Sequence, residues 1–226
     1  MTILNTILLL CAIGIFVGFA LYYVAKKFYI EENPLYDEVE SMLPGANCGG
    51  CGYPGCRKLA EKMVDSPSLE GLYCTASSSE TMEAIGNFLG KSVQKKDMQV
   101  AVLRCAGSCD KRTKHVAYEG ISSCAFAANF YTGDTGCSFG CIGFGDCVEA
   151  CQFGAMKMNP ETHLPEIETS MCTACGKCVV SCPKQLLEIR KTNKNDMKIY
   201  VGCLNKDKGF IAKEACTVAC IGCGKC

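Results

Sequence analysis

The chain opens on an uninterrupted apolar run, TILNTILLLCAIGIFVGFALYYVA from Thr2 to Ala25, which carries no charge. At about 1.5 Å per residue such a run makes a helix of roughly 36 Å, enough to cross a bilayer. No Lys or Arg precedes it and no small-x-small cleavage motif follows, which favours an uncleaved anchor over a signal peptide. Lys26 and Lys27 close the run behind Tyr22 and Tyr23, so the positive-inside rule predicts a single pass with residues 28 to 226 in the cytoplasm. Cys11, at mid-span, reads as a small apolar helix residue.

Behind the anchor the periodicity changes several times. EENPLYDEVESMLPGAN is acidic and punctuated by proline, with a short helix expected over Asp37 to Met42 before Pro44 and Gly45 end it. RKLAEKMV (57–64) and TMEAIGNFLG (81–90) have the spacing of amphipathic helices. MQVAVLRC (98–105), LLEIRK (186–191) and MKIYVGC (197–203) read as strands. The expected class is therefore α+β, with one N-terminal transmembrane helix.

Composition changes the picture through one residue type. Of 226 residues 21 are cysteine, while 23 basic side chains balance 23 acidic ones. A neutral chain lacks the basic excess that nucleic-acid binding requires. A chain of this length buries an ordinary core without covalent help. Thiols on the cytoplasmic side stay reduced, so disulfides are disfavoured and metal ligation is the better use of the sulfur. His115 and His163 are the two histidines, and nothing around them resembles a nucleophile with its base.

The cysteines fall in zones. Cys48, Cys51, Cys56 and Cys74 form a C-x2-C-x4-C-x17-C set inside a glycine-rich loop, the composition a chain needs to wrap an iron-sulfur cluster. A structural zinc site is the plainer alternative, but it usually takes two close cysteine pairs, which this loop lacks. Cys172, Cys175, Cys178, Cys182 and Pro183 match the bacterial ferredoxin run C-x2-C-x2-C-x3-C-P at every position. In such runs the fourth cysteine serves the other cluster, and Cys137, Cys141, Cys147 and Cys151 offer the partner run. The expected sets are Cys137, Cys141, Cys147 and Cys182 for one 4Fe-4S cluster, and Cys151, Cys172, Cys175 and Cys178 for the other, in two halves related by a pseudo-twofold axis. The partner run departs from the pattern in its wider spacings and in Gln152, which stands where proline is usual.

Two further groups are less regular. Cys105, Cys109 and Cys124 are either buried thiols or three ligands of a cluster completed from elsewhere. Cys216, Cys220, Cys223 and Cys226 repeat the register of Cys137 and of Cys141 to Cys147, with MKIYVGC and Cys203 repeating MQVAVLRC. The repeat breaks off at Cys226, so a further cluster module is expected beyond it in the full protein.

The anchor, the PGANCGGCGYPGC loop with Cys74 behind it, and CSFGCIGFGDCVEAC followed by CTACGKCVVSCP together resemble the B subunit of the Rnf complex, in its long, cysteine-rich form. The resemblance covers nearly the whole chain. It implies a subunit of a ferredoxin:NAD oxidoreductase that couples electron transfer to Na+ or H+ translocation in the cell (inner) membrane. The implied partners are ferredoxin as donor and other membrane and flavin-bearing subunits, and the implied cofactors are at least three 4Fe-4S clusters. No nucleotide fingerprint and no intramembrane carboxylate occurs in this chain, so catalysis at NAD and ion passage belong to the partners. A polyferredoxin feeding a hydrogenase or another membrane dehydrogenase is the alternative function, and a zinc scaffold a more distant one.

The expected layout is an anchor (1–27), a linker (28–43), a 4Fe-4S domain (44–90), an intervening α/β segment with extra cysteines (91–135), a ferredoxin-like module (136–192) and the start of a further module (193–226). Residues 91–115 hold Lys91, Lys95, Lys96, Arg104, Lys111, Arg112 and Lys114 against Asp97 and Asp110. That excess is either a docking face for an acidic ferredoxin or a solvated surface balancing the acidic linker.

Overall fold

The computed structural model describes residues 2–28, 33–94, 97–116, 118–130, 135–192 and 197–225. Helix α1 runs over Thr2–Lys27. Its apolar side chains face outward along its whole length, and it is the one helix among the described residues long and apolar enough to cross a membrane. A helix that buries none of this surface against its own chain needs an apolar solvent.

Three helices build the first core. They are α2 (Pro34–Met42), α3 (Cys56–Asp65) and α4 (Ser79–Leu89). Asn33 caps α2 through its side chain with Pro34 in the first turn, and the Ser78 hydroxyl accepts the Thr81 N–H to start α4. Val39, Leu59, Met63, Leu69, Met82 and Ile85 meet in the middle, and Cys56 and Cys74 belong to the same buried cluster. Lys91 closes the far end of α3 by donating Nζ to the carbonyls of Met63 and Val64, both at 2.7 Å. Lys91 is thus a helix cap.

The second core lies under two small sheets. Strand β1 (Gln99–Leu103) pairs antiparallel with β4 (Leu187–Lys191), setting Ala101 opposite Ile189 and Leu103 opposite Leu187. The β2 (Met156–Met158) and β3 (Pro165–Ile167) hairpin makes the other sheet. Between these strands sit two one-turn helices, α6 (Asp146–Glu149) and α7 (Lys177–Ser181), packed on each other. Each begins after a left-handed glycine, Gly145 at φ 88° and Gly176 at φ 81°, so both halves of the module enter their helix the same way. Ala101, Cys147, Met156, Cys178 and Leu187 form the buried centre.

The chain leaves this module between β1 and α6. That excursion carries α5 (Cys124–Phe130) and meets α8 (Gly209–Ala215), near the C-terminal end, through single bridges between Cys105 and Cys203 and between Arg112 and Cys216. The strand expected over MKIYVGC is not formed: residues 197–200 have no regular structure, and Cys203 makes a single bridge. Tyr200 is 38% exposed and Ile199 96% exposed, so the alternation there is not backed by burial on one face.

Candidate metal centres

The loop ahead of α3 shapes the first centre. Asn47 adopts φ 45° and its carboxamide oxygen accepts the Cys56 N–H at 2.8 Å, folding the loop over the start of α3. Cys56 and Cys74 are buried and Cys51 packs against them. Burial raises the Cys48 thiol pKa, and the nearby thiols of Cys175, Cys74 and Cys51 add to that rise. Cys175 belongs to a different sequence zone. A side chain on Gly50 would place its Cβ 2.7 Å from the Cys175 Cα and 2.6 Å from the Thr75 hydroxyl oxygen, so the loop and the ferredoxin-like module touch backbone to backbone here.

In that module, Cys151, Cys172, Cys175 and Cys178 line one cavity, of about 330 Å³. Burial pushes the Cys178 thiol up to about 11, with Cys172, Cys175 and Cys151 adding to it. The Ala101 N–H of β1 points at the Cys172 sulfur at 3.4 Å. Cys151 thus sits with the run that follows it, and Cys182 sits with the run that precedes it.

The second cavity, of about 390 Å³, is lined by Cys124, Cys141, Cys147 and Cys182. Cys137 is absent from it, and the set expected from spacing, with Cys137 beside Cys141, Cys147 and Cys182, is not the one the structure assembles. Cys124 takes the fourth place. The physical reason is at Phe144, which occupies the position where C-x2-C-x2-C spacing would have its second cysteine. Burial raises the Cys124 thiol pKa, opposed by the backbone N–H groups of Asp146, Phe144 and Gly145, so the sulfur arrives at that position from outside the run. Asp146 holds it there: its carboxylate accepts the N–H of Cys124 at 2.7 Å, the N–H of Ala125 at 2.9 Å and the Ser123 hydroxyl at 2.9 Å. Burial opposes the charge on Asp146, but these donors prevail and its pKa is lowered.

Cys137 belongs to another ring. With Cys105, Cys203 and Cys216 it lines a separate cavity of about 330 Å³, and its thiol pKa is raised by burial and then by those same three neighbours. The trio Cys105, Cys109 and Cys124 is therefore no unit. Cys105 and Cys124 go to different rings, and the Cys109 thiol donates to the Glu161 carbonyl at 3.0 Å. Cys220 and Cys223 line none of the cysteine cavities above, and Cys226 lies outside the described residues.

Among the described basic residues of 91–115, several are engaged within the fold. Arg104 pairs with Glu188 at 3.3 Å and donates Nε to the Val201 carbonyl, Arg112 is 8% exposed, and Lys91 caps α3. Lys95 and Lys96 lie outside the described residues. Lys111 and Lys114 are exposed.

The residues around these rings suit a polynuclear iron-sulfur group. Among the described residues no group of three or more His, Cys, Asp or Glu side chains is drawn together tightly enough to hold one metal ion. Zinc would require such closure at about 2.3 Å per thiolate. Buried hydroxyls of Thr75 and Thr173, next in sequence to Cys74 and Cys172, have no hydrogen-bond partner, as suits donors facing cluster sulfur.

Family models match two segments: "Putative Fe-S cluster" over residues 43–68 and "4Fe-4S dicluster domain" over residues 140–185. A helix of membrane-spanning length ahead of thiols gathered in rings, with two matched iron-sulfur segments, defines a membrane-associated iron-sulfur protein of the electron-transfer class, with 4Fe-4S clusters as cofactors. The chain is 38% identical over 224 residues to the B subunit of the ion-translocating oxidoreductase complex of Methanosarcina acetivorans, across 99% of this chain and 83% of that one. It is 41% identical over 219 residues to the B subunit of the proton-translocating ferredoxin:NAD(+) oxidoreductase complex of Clostridium ljungdahlii, across 97% and 76%. A third relative, the B subunit of the Na(+)-translocating ferredoxin:NAD(+) oxidoreductase complex of Acetobacterium woodii, is 38% identical across 96% and 65%. The chain belongs to this family, the B subunits of ion-translocating oxidoreductase (Rnf) complexes, and is an electron-transfer subunit of a multi-subunit membrane complex.

Proposed function

We propose that this chain accepts electrons from reduced ferredoxin and relays them to membrane and flavin-bearing partner subunits, within a complex that reduces NAD and moves Na+ or H+. Lys26 and Lys27 at the end of α1 support a cytoplasmic position for the cysteine-rich part. Three sets carry the relay: Cys48, Cys51, Cys56 and Cys74; Cys151, Cys172, Cys175 and Cys178; and Cys124, Cys141, Cys147 and Cys182. Bound there, 4Fe-4S clusters supply one-electron carriers.

The observation that carries this reading is the contact between sets. Gly50 lies on Cys175, and the Cys147 thiol feels Cys182 and Cys124 of its own set and Cys178 of the next. The protein's part is to keep the sets dry and to orient N–H groups onto sulfur, as the Leu186 N–H does toward Cys182 at 3.4 Å. The Lys184 side chain, its pKa lowered by burial against the opposing pull of Cys137 and Cys182, sits beside both thiols and donates to the Ser138 carbonyl at 2.9 Å.

Rapid mixing of the anaerobic complex with reduced ferredoxin tests the reading. Bleaching of the iron-sulfur absorbance should precede NADH formation, and Cys178→Ser should abolish NADH formation while the flavins remain bound. NADH formation surviving in that variant would place the relay elsewhere.

A further inference from the structure

We propose that Cys105, Cys137, Cys203 and Cys216 form a fourth 4Fe-4S site, outside both segments matched by family models, with Arg112 as its buried counter-ion. The inference rests on the reading of this chain as a cluster carrier and adds a site to it. The four thiols come from four separate places: the end of β1, the loop ahead of the first run, the bridge partner of Cys105, and the end of α8. Spacing alone does not connect them. The fold does, because the two bridges that dock the C-terminal part run through Cys105 with Cys203 and through Arg112 with Cys216.

The cavity these cysteines line is enclosed by apolar groups such as Leu204, Val218 and Ala219, and Cys137 and Cys216 are 6% and 5% exposed. Backbone N–H groups of Cys220 and Asn205 point at the Cys203 sulfur at 3.4 and 3.5 Å, the donor pattern that stabilises sulfur bearing negative charge.

Arg112 gives an independent sign. It lines the same cavity at 8% exposure, and its Nε is buried with no hydrogen-bond partner. One NH group bonds the Cys141 carbonyl, and no carboxylate pairs with the guanidinium among the described residues. A buried cation requires an opposite charge nearby. A cluster held by four thiolates is an anion, and bound among these cysteines it supplies that charge. The site also has a neighbour, since Arg112, which lines this cavity, donates to the carbonyl of Cys141, a member of the adjoining ring.

The full-length protein, purified without oxygen, is compared with the Cys105→Ser/Cys203→Ser double variant for iron, acid-labile sulfide and zinc per chain, and by EPR after reduction. The variant should lose about four iron and about four sulfide with one EPR component, the others persisting. Equal iron in both proteins, or zinc in place of the missing iron, would overturn the fourth site while leaving the three-set relay intact. A parent protein without iron would instead refute the carrier reading itself. Arg112→Gln provides a second readout that spares every ligand. It should keep the iron and move the midpoint potential of that same component in the negative direction, because reduction adds negative charge that the cation no longer offsets. A titration in which no component moves would remove Arg112 from the site.

Discussion

At the scale of single residues, the exchange of Phe144 for Cys124 decides how the first run works. Phe144 stacks its ring near that of Tyr118, with centroids 5.4 Å apart, and leaves sulfur supply to α5. Cys124→Ser should therefore convert the cluster of that set to a three-iron form or lose it, and adding Phe144→Cys should restore it from within the run; EPR of the two variants checks both steps. Rescue would show that the position, and not the element bearing it, is what the cluster requires. The thiols make a separate prediction. Burial pushes Cys141 and Cys147 from the ordinary 9.0 up to about 12 in the metal-free chain. A folded-state pKa above the unfolded value means that stability held below pH 9 is lost as pH climbs toward 12. Iron-depleted protein should then unfold across that interval, followed by circular dichroism, while the cluster-loaded protein, whose thiolates are already charged and ligated, should not. Metal binding must also displace these protons, so reconstitution should weaken as the solution is made more acidic.

At the scale of elements, what the sequence disclosed followed from local signals, and what it concealed depended on docking. Helices α3 and α4 and strands β1 and β4 were legible because their apolar spacing is regular and they are long enough to show it. The gathering of Cys172, Cys175 and Cys178 at one cavity follows from close, regular spacing that ends in a one-turn helix. The place of Cys137 was not legible, because the register Cys137-x3-Cys141 gives no sign that the long excursion between β1 and α6 will return Cys124 to the site. A clue was present in the internal repeat, where Cys223 stands opposite Phe144 and marks a missing ligand in the earlier copy. MKIYVGC misled because β-branched and aromatic composition expresses a preference that burial must complete. For the basic stretch two readings stood open, and charge counts do not reveal that Arg104 and Lys91 are spent on an ion pair and a helix cap. Helix α5 is joined to the site through Asp146, and Asp146→Ala should release it. Losing three charge-assisted hydrogen bonds at a half-buried carboxylate should cost about 2 to 4 kcal/mol in stability, measured by denaturant unfolding. The cluster of Cys124, Cys141, Cys147 and Cys182 should be depleted while that of Cys151, Cys172, Cys175 and Cys178 persists.

At the scale of the whole molecule, the rings form a succession of neighbours: Cys48 beside Cys175, Cys178 beside Cys147, and Cys141 beside Cys105. The first of these junctions joins two cores that are otherwise built from different parts of the chain. Gly50 permits that approach. An alanine there would set its Cβ 2.7 Å from the Cys175 Cα, a separation no packed methyl group sustains, and the opposing atom is backbone that cannot rotate away. The loop bearing Cys48 and Cys51 must retreat from the ferredoxin-like module. Each core contains its own buried residues and cysteine set, so Gly50→Ala should keep the iron content and the EPR components of the parent. Electron exchange between the first set and the set of Cys175 should slow several-fold, because transfer between clusters falls steeply with added distance, and magnetic coupling between the two reduced clusters should weaken in parallel. Freeze-quenched EPR after mixing the intact complex with reduced ferredoxin reads both effects. Unchanged exchange in a variant of full iron content would show that the contact at Gly50 is packing alone, and that electrons enter or leave the first set by another face.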